Sequence, residues 1–324
     1  RQAILSGFMD AFILTPVYGE DVSLTEIGRM RADLIRLYLE VSDLAHDTVP
    51  VWPAEMPKQL RIGLLSPGAQ SEMAAIRGHL TGLDKTTFHI TAFVPDAAID
   101  AVSRGVSDIA DALIPLPVDD LRSCADIIKH ENLDILIAAA NITNISTFPW
   151  TLLMAQRLAR LQATMHASPL TSGFDTVDLY INGTLNEGEN AQEEYSEDLL
   201  LVEGSSNHYL FVDGIPEPQT LQRSDLDIPD EGALLVSGAN MFKIGPDLIE
   251  SWLSILSALP NSQLALYPFN PNWASQYPQR KSFVSFLKRQ LRDIGISPDR
   301  LHLLDAQPSR APILGLLNIA DVYL

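Results

Sequence analysis

The sequence predicts an α/β protein whose parallel strands alternate with helices. From residue 60 onward, short apolar runs typical of buried strands are separated by longer amphipathic stretches typical of helices. This alternation indicates a parallel sheet covered by helices on both faces. The chain has 324 residues, 46% of them hydrophobic, so it can hold one large domain or two ordinary ones with a buried core.

Residues 1–57 are predicted to form a helical N-terminal segment followed by a linker. One helix is marked by apolar residues at helical spacing, namely Ile27, Met30, Leu34, Leu37 and Val41. Ser23 followed by Glu26 matches a capping box at the start of this helix. Residues 49–57 are rich in proline, which predicts a domain boundary before the first strand.

Residues 58–230 are predicted to form a first α/β domain. We expect its strands at residues 60–66, 87–94, 111–117, 134–140 and 161–165. We expect the helices between them at residues 72–83, 121–130 and 154–161. Residues 187–198 are charged, and we expect them to be exposed.

Residues 231–324 are predicted to form a second α/β domain. We expect strands at 234–236, 263–267 and 301–304, with helices at 246–258, 281–294 and 313–319. Another strand is predicted to start at Val322, two residues before the last residue, Leu324. We therefore expect this domain to be incomplete and to continue beyond the given sequence.

The stretch from Ser237 to Tyr267 has a lysine where a ligand-binding residue is expected. Lys243 follows a predicted buried strand, and open parallel sheets bind ligands beyond the carboxyl ends of their strands. Pro246 suits the first turn of the next helix because its missing N–H costs nothing there. The positive end of that helix and the lysine would together favour an anionic ligand.

The charge of the chain argues against nucleic acids and anionic membranes as partners. Its formal net charge is −19, with 41 acidic against 22 basic side chains. This balance argues against general binding of nucleic acids or anionic membranes, which requires clustered lysine and arginine, and it is compatible with a basic protein partner. The sequence has no apolar run long enough to predict a membrane span.

Cys124 is the only cysteine, so an intrachain disulfide and a multi-cysteine zinc site are both excluded. A single cysteine fits a reducing cytoplasm, and we expect a cytoplasmic protein.

Two blocks of sequence are similar to the O-GlcNAc transferase family of glycosyltransferases, which also includes bacterial cytoplasmic N-glucosyltransferases. The first block comprises Phe242–Pro246, Trp252 and Leu259–Ser262, followed by a strand. The second block comprises Pro169–Gly173, Asp178–Ile181 and Tyr195–Leu199. The resemblance covers residues 60–324, and residues 268–273 favour the bacterial side of the family.

The resemblance implies a GT-B-like fold, in which two Rossmann-like domains face a cleft. It also implies a protein glycosyltransferase that moves a hexose or an N-acetylhexosamine from a UDP-sugar to a protein side chain. The donor would be UDP-N-acetylglucosamine or UDP-glucose, and the acceptor would be Ser/Thr or Asn. The reaction would be inverting and independent of metal, with no cofactor besides the donor.

The resemblance also implies roles for individual residues. Lys243 would be catalytic, because it would stabilise the departing diphosphate. The substrate-binding residues would be Asn240 near the phosphates, Tyr267 and Phe269 near the uridine, and Thr171, Ser172 and Gly173 along the cleft. A general base is also required; His166 is the first candidate, and the carboxylate of Glu72 is the alternative. The Asp225–Asp227 stretch lies in the predicted linker, so we expect a solvated turn there and no metal site.

Two departures from the family pattern support an alternative function. The family has a histidine after its first strand and another before its Ala-Asp-Val strand, whereas residues 66–73 and 309–321 of this chain contain none. The alternative is a catalytically inactive protein that keeps the fold and acts as a binding partner or co-activator. A nucleotide-binding domain of another class is disfavoured, because the sequence has neither Gly-x-Gly-x-x-Gly nor a Gly-Lys-Ser/Thr loop.

Overall fold

The structure is a computed structural model, and it describes residues 2–11, 23–44, 48–67, 70–143, 148–211, 213–239, 243–266, 278–305, 307 and 309–324. These residues form two compact units, one ending at Gly214 and one running from Ile215 to Leu324. The predicted division into residues 1–57, 58–230 and 231–324 remains a prediction. In the described residues, no helix is both long enough and apolar enough to cross a membrane.

The first unit is built on a seven-stranded parallel sheet. Its strands are β1 (Leu60–Leu65), β2 (Phe88–Pro95), β3 (Ala112–Leu116), β4 (Ile135–Ala138), β5 (Leu161–Met165), β6 (Leu179–Gly183) and β7 (Asp198–Val202). Its helices are α1 (Gln2–Ala11), α2 (Leu24–Val41), α3 (Gln70–Leu80), α4 (Ile99–Val106), α5 (Leu121–His130) and α6 (Pro149–Met154). The strand order is β3-β2-β1-β4-β5-β6-β7, so the direction of winding reverses between β1 and β4.

Helices cover both faces of this sheet, as the alternation predicted. Side chains alternate along β1, so Ile62 and Leu64 pack on the side of α3 while Leu65 packs on the other side with α2, α5 and α6. The helix predicted from Ile27 to Val41 is confirmed as α2, whose residues Ile35 and Leu39 are buried in the core of the first unit. Ser23 caps α2 by accepting a hydrogen bond from the Glu26 amide at 3.3 Å.

One predicted helix was wrong in position. We expected a helix at 154–161, but α6 spans Pro149–Met154 and the chain then turns into β5. Pro149 occupies the first turn of α6, which explains why the helix starts there. The patterns did not predict α4, and β6 and β7 were noted only as parts of a motif.

The second unit has a four-stranded parallel sheet. Its strands are β8 (Leu234–Ser237), β9 (Gln263–Leu266), β10 (Leu301–Leu303) and β11 (Val322–Tyr323), and its helices are α7 (Pro246–Ala258), α8 (Pro278–Asp293) and α9 (Arg310–Ile319). The order β10-β9-β8-β11 again reverses direction beside the first strand of the unit. Trp252 and Leu256 of α7 pack with Leu287 and Leu291 of α8 on one face of this sheet. Leu316 of α9 packs on the other face.

Candidate functional site

In the second unit, the point where strand order reverses lies between β8 and β11. Open parallel sheets bind ligands at this point, outside the carboxyl ends of the strands. Lys243 lies in the loop that leaves the carboxyl end of β8, and its side chain is exposed. Lys243 therefore lies where a ligand is expected, and this follows from the strand order alone, without any sequence resemblance.

The helix that follows this loop presents its N-terminus two residues after Lys243. Gly245 is the N-cap residue of α7, and Pro246 follows it in the first turn. Ile249 donates to the Gly245 carbonyl at 3.2 Å, so the amides of Asp247 and Leu248 precede the helical hydrogen-bond ladder. These amides and the positive end of the helix dipole favour an anion, as the Lys243 ammonium does.

Three of the predicted substrate-binding residues, Asn240, Tyr267 and Phe269, lie outside the described residues. In the sequence, Asn240 belongs to the same loop as Lys243, and Tyr267 directly follows β9. Their roles remain predictions.

In the first unit, the reversal of strand order lies between β1 and β4. A polar network fixes the chain beyond β4. Ser168 Oγ donates to the Ala140 carbonyl at 3.1 Å and accepts from the Ile142 amide at 3.1 Å. The buried Arg31 of α2 donates to the Ile142 carbonyl at 2.8 Å, and burial lowers the pKa of Arg31 to about 10. This network was not predicted from sequence, where polar residues after two buried strands are the one sign of it.

His166, the candidate base, directly follows β5, the strand beside β4. Its ring centroid lies 5.4 Å from that of His79 on α3 and 5.9 Å from that of Tyr209. Burial, and then the neighbouring His79, lower the pKa of His166 below its ordinary value. A neutral imidazole at neutral pH is the form that a general base requires, so the environment is compatible with the predicted role. The side chain of Glu72, the alternative base, lies outside the described part of the structure.

The lowered pKa of His166 predicts how stability depends on pH. The unfolded chain binds a proton at about pH 6.5, whereas the folded chain binds it only at lower pH, so stability falls as pH drops through that range. We expect the free energy of unfolding to decrease less between about pH 7 and pH 5 in His166→Gln than in the wild type. Urea unfolding at each pH measures this difference; equal decreases would contradict it.

The turn Thr171–Ser172–Gly173 surrounds a buried carboxylate. Glu197 accepts hydrogen bonds from Thr171 Oγ1 at 2.7 Å and from the Ser172 amide at 2.7 Å, and it also accepts from Ser172 Oγ. Thr171, Ser172 and Glu197 are all buried. Both hydroxyls are therefore committed to Glu197, and the substrate-binding role of this turn remains a prediction. The expectation that residues 187–198 are exposed is wrong for Glu197, because its carboxylate is buried and accepts the hydrogen bonds of these donors.

Gly173 allows this turn to approach α2. Its φ is +76°, and a Cβ atom at this position would lie 2.3 Å from the Gly28 carbonyl oxygen. We expect Gly173→Ala to lower the free energy of unfolding by about 2 kcal/mol or more, since it adds both a clash and backbone strain. Gly188→Ala is the matched control because nothing lies within 4 Å of its added Cβ. Urea unfolding of both variants measures the effect, and equal stabilities would contradict the assigned packing.

A cavity of about 520 Å³ adjoins the same turn. Its lining includes Arg29 and Arg36 of α2 together with Arg157, Phe174 and Asp175. Arg157 Nη1 is 2.6 Å from Asp178 and Arg36 Nη2 is 2.5 Å from Asp33, so acidic partners offset much of the positive charge. The cavity therefore gives no clear preference for an anion.

In the part of the chain that the structure describes, no three His, Cys, Asp or Glu side chains are grouped so that they could hold a metal ion. Asp225 accepts from the Gln222 amide at 2.8 Å and caps a short 3-10 helix, while Asp227 has a left-handed backbone with φ of 55°. The Asp225–Asp227 stretch is thus a turn, as the sequence predicted.

His302 lies within β10, with its Nε2 atom 2.9 Å from Oε1 of Gln263, and burial lowers the pKa of His302.

Known proteins resemble this chain in both sequence and fold. The probable UDP-N-acetylglucosamine–peptide N-acetylglucosaminyltransferase SPINDLY of Solanum lycopersicum is 25% identical over 277 residues, which cover 83% of this chain and 28% of the relative. The corresponding probable transferase SEC of Arabidopsis thaliana is 21% identical over 280 residues, which cover 82% of this chain and 27% of the relative. A mutant O-GlcNAc transferase of Thermobaculum terrenum matches with a TM-score of 0.71 and 20% identity, covering 100% of this chain and 58% of its own.

The chain thus resembles the O-GlcNAc transferase-like family of glycosyltransferases in sequence and in fold. The resemblance predicted from the two sequence blocks is therefore confirmed, and so is the α/β, GT-B-like fold class. No protein-family model matches the sequence. The chain spans about a quarter of the length of the curated relatives it matches. The activity of those relatives is therefore proposed for this chain and is not established by the similarity.

Proposed function

We propose that this chain is part of a protein glycosyltransferase that uses a UDP-sugar as donor. The observation that carries the proposal is the position of Lys243. It follows the carboxyl end of β8, at the reversal of strand order, and directly precedes the N-terminus of α7. A cation and the first backbone amides of a helix at such a point suit a diphosphate.

In the proposed reaction, an acceptor side chain attacks the anomeric carbon of the sugar. The new bond forms as the bond from that carbon to the diphosphate oxygen breaks, and UDP departs with the bonding electrons. Lys243 and the α7 amides would stabilise the negative charge that grows on the diphosphate. Attack from the opposite face inverts the anomeric centre, and no step requires a metal.

The remaining roles are those predicted from the family resemblance and from the residues themselves. Asn240 would contact the phosphates, and Tyr267 and Phe269 would contact the uridine. Thr171, Ser172 and Gly173 would contribute to the acceptor side, with His166 taking the acceptor proton. The donor would be UDP-N-acetylglucosamine or UDP-glucose, the acceptor Ser/Thr or Asn, and the location cytoplasmic.

A transfer assay tests this function. The protein is incubated with each UDP-sugar and a mixture of candidate acceptor proteins, and UDP release and sugar incorporation are followed together. We expect release of UDP that depends on acceptor and is unchanged by EDTA. Release that requires added metal would contradict the proposed chemistry.

A second candidate function is that of an inactive binding partner or co-activator. It is favoured by the absence of histidine in residues 66–73 and 309–321, where the family has one each. An inactive protein would bind UDP or a protein partner but would transfer neither sugar. The same assay, run together with a measurement of UDP binding, separates the two candidates.

A further inference from the structure

The strand β7 forms an open apolar edge of the large sheet. Among the described residues it is the last strand in the order, and β6 is its one neighbour there. Leu200, Leu201 and Val202 are 46%, 41% and 39% exposed. Natural edge strands are usually blocked by lysine, proline or a bulge, but Leu199–Val202 contains neither charge nor proline. An edge of this kind can bind another strand.

Two hydrogen bonds show which backbone groups of β7 face outward. The Asp198 amide donates to the Asp178 carbonyl at 2.9 Å, and the Thr184 amide donates to the Val202 carbonyl at 2.9 Å. In a parallel pair, alternate residues face the neighbour, so residues 198, 200 and 202 bond to β6. The amides and carbonyls of Leu199 and Leu201, and the amide of Glu203, therefore point away from β6.

The side chain of Gln192 already binds the backbone groups at the start of β7 that face away from β6. The Gln192 carboxamide accepts from the Leu199 amide at 2.8 Å and donates to the Glu197 carbonyl at 2.9 Å. In a parallel pair, one residue of an added strand would make the same two bonds through its own amide and carbonyl. Gln192 thus leaves the next positions, the Leu199 carbonyl, the Leu201 amide and carbonyl, and the Glu203 amide, for an added strand to continue.

The surroundings of this edge are acidic. Residues 187–203 contain seven acidic side chains and no basic one, which makes them much more acidic than the rest of the chain. The exposed members are Glu189, Glu193, Glu194, Asp198 and Glu203. A second copy of this chain would bring the same negative charge to the contact, so the charge disfavours pairing of two copies. It favours an extended segment that carries lysine or arginine beside apolar residues.

We propose that β7 binds an extended segment of a basic partner protein, which adds to the sheet as a further strand next to β7. Main-chain hydrogen bonds to Leu199, Leu201 and Glu203 would supply affinity, and the acidic flank would select the partner. β7 belongs to the first unit and Lys243 to the second, and the proposal does not depend on sugar transfer.

A designed peptide tests the proposal on the full chain. The probe is Lys-Lys-Val-Thr-Val-Thr-Val-Lys-Lys, and its binding is measured by calorimetry and by hydrogen–deuterium exchange. We expect slower exchange of the Leu201 and Glu203 amides. We also expect binding to weaken about tenfold or more when glutamate replaces the peptide's lysines, and to be lost when its alternate amides are N-methylated.

Leu201→Pro removes an outward amide and leaves the β6–β7 hydrogen bonds intact, so this variant should fold but not bind the peptide. Leu201→Thr keeps the amide and should bind, and thermal unfolding checks that both variants are folded. Protection of another segment by the peptide, or equal binding of the N-methylated peptide, would overturn the proposal. So would concentration-dependent dimerisation that protects residues 199–203 without any peptide.

Discussion

Replacement of Lys243 by alanine is expected to slow sugar transfer about 100- to 1000-fold. Removing one preorganised group that stabilises developing charge typically costs this much in rate. The effect should appear in kcat, because the charge on the diphosphate grows as its bond to the sugar breaks. Initial rates of UDP release, with donor and acceptor both saturating, measure it.

Two further variants test whether the loss of rate is specific to the charge at Lys243. Lys288→Ala removes a lysine from the later part of α8 and should leave the rate unchanged. Lys243→Arg keeps the charge but changes its shape, so it should retain more activity than Lys243→Ala. If Lys243→Ala kept its rate within about threefold, Lys243 would not be the group that stabilises the leaving diphosphate.

Replacement of Glu197 by alanine is expected to lower the free energy of unfolding by about 3 kcal/mol or more. The substitution leaves several buried donors of Thr171 and Ser172 without an acceptor, and each orphaned group costs about 1 to 3 kcal/mol. The turn that these residues form also contacts α2 through Gly173 and Gly28, so the loss should extend to the packing of that helix.

Urea unfolding followed by circular dichroism measures this loss. Glu193→Ala is the matched control, because Glu193 is exposed on the 3-10 helix Ala191–Glu194 and its loss should change stability by less than about 0.5 kcal/mol. Glu197→Gln keeps the shape but replaces one acceptor oxygen by a donor, so its stability should lie between that of the wild type and that of Glu197→Ala. Equal stabilities of Glu197→Ala and Glu193→Ala would contradict the buried network.

The second unit was largely predictable from sequence because its signals are local. A short apolar run, a proline at the first turn and apolar residues at helical spacing gave β8 and α7 close to their observed bounds. Trp252, expected on the apolar face of that helix, is 2% exposed. The reversal of strand order beside β8 could not be predicted, since it depends on which strands pair and not on local pattern.

In the first unit, the sequence pointed to important residues without revealing how they interact. Thr171–Gly173 and Tyr195–Leu199 were both noted, but Thr171 bonds to Glu197 across 26 positions of the chain, and no local pattern encodes such a contact. The packing of α2 against the same turn depends on the close approach of Gly28 and Gly173. His166 was noted alone, whereas the structure surrounds it with His79 and Tyr209 from distant segments.

Calorimetric titration of UDP into the wild-type protein tests the central claim most directly. If the loop from β8 to α7 holds the diphosphate of a donor, one UDP should bind per chain with a dissociation constant in the micromolar range, about −8 kcal/mol. The binding should weaken at least about tenfold in Lys243→Ala, since a hydrogen bond to a charged group contributes about 1.5 to 3 kcal/mol. A folded protein that binds no UDP, or that binds it equally well without Lys243, would contradict the assignment of this site.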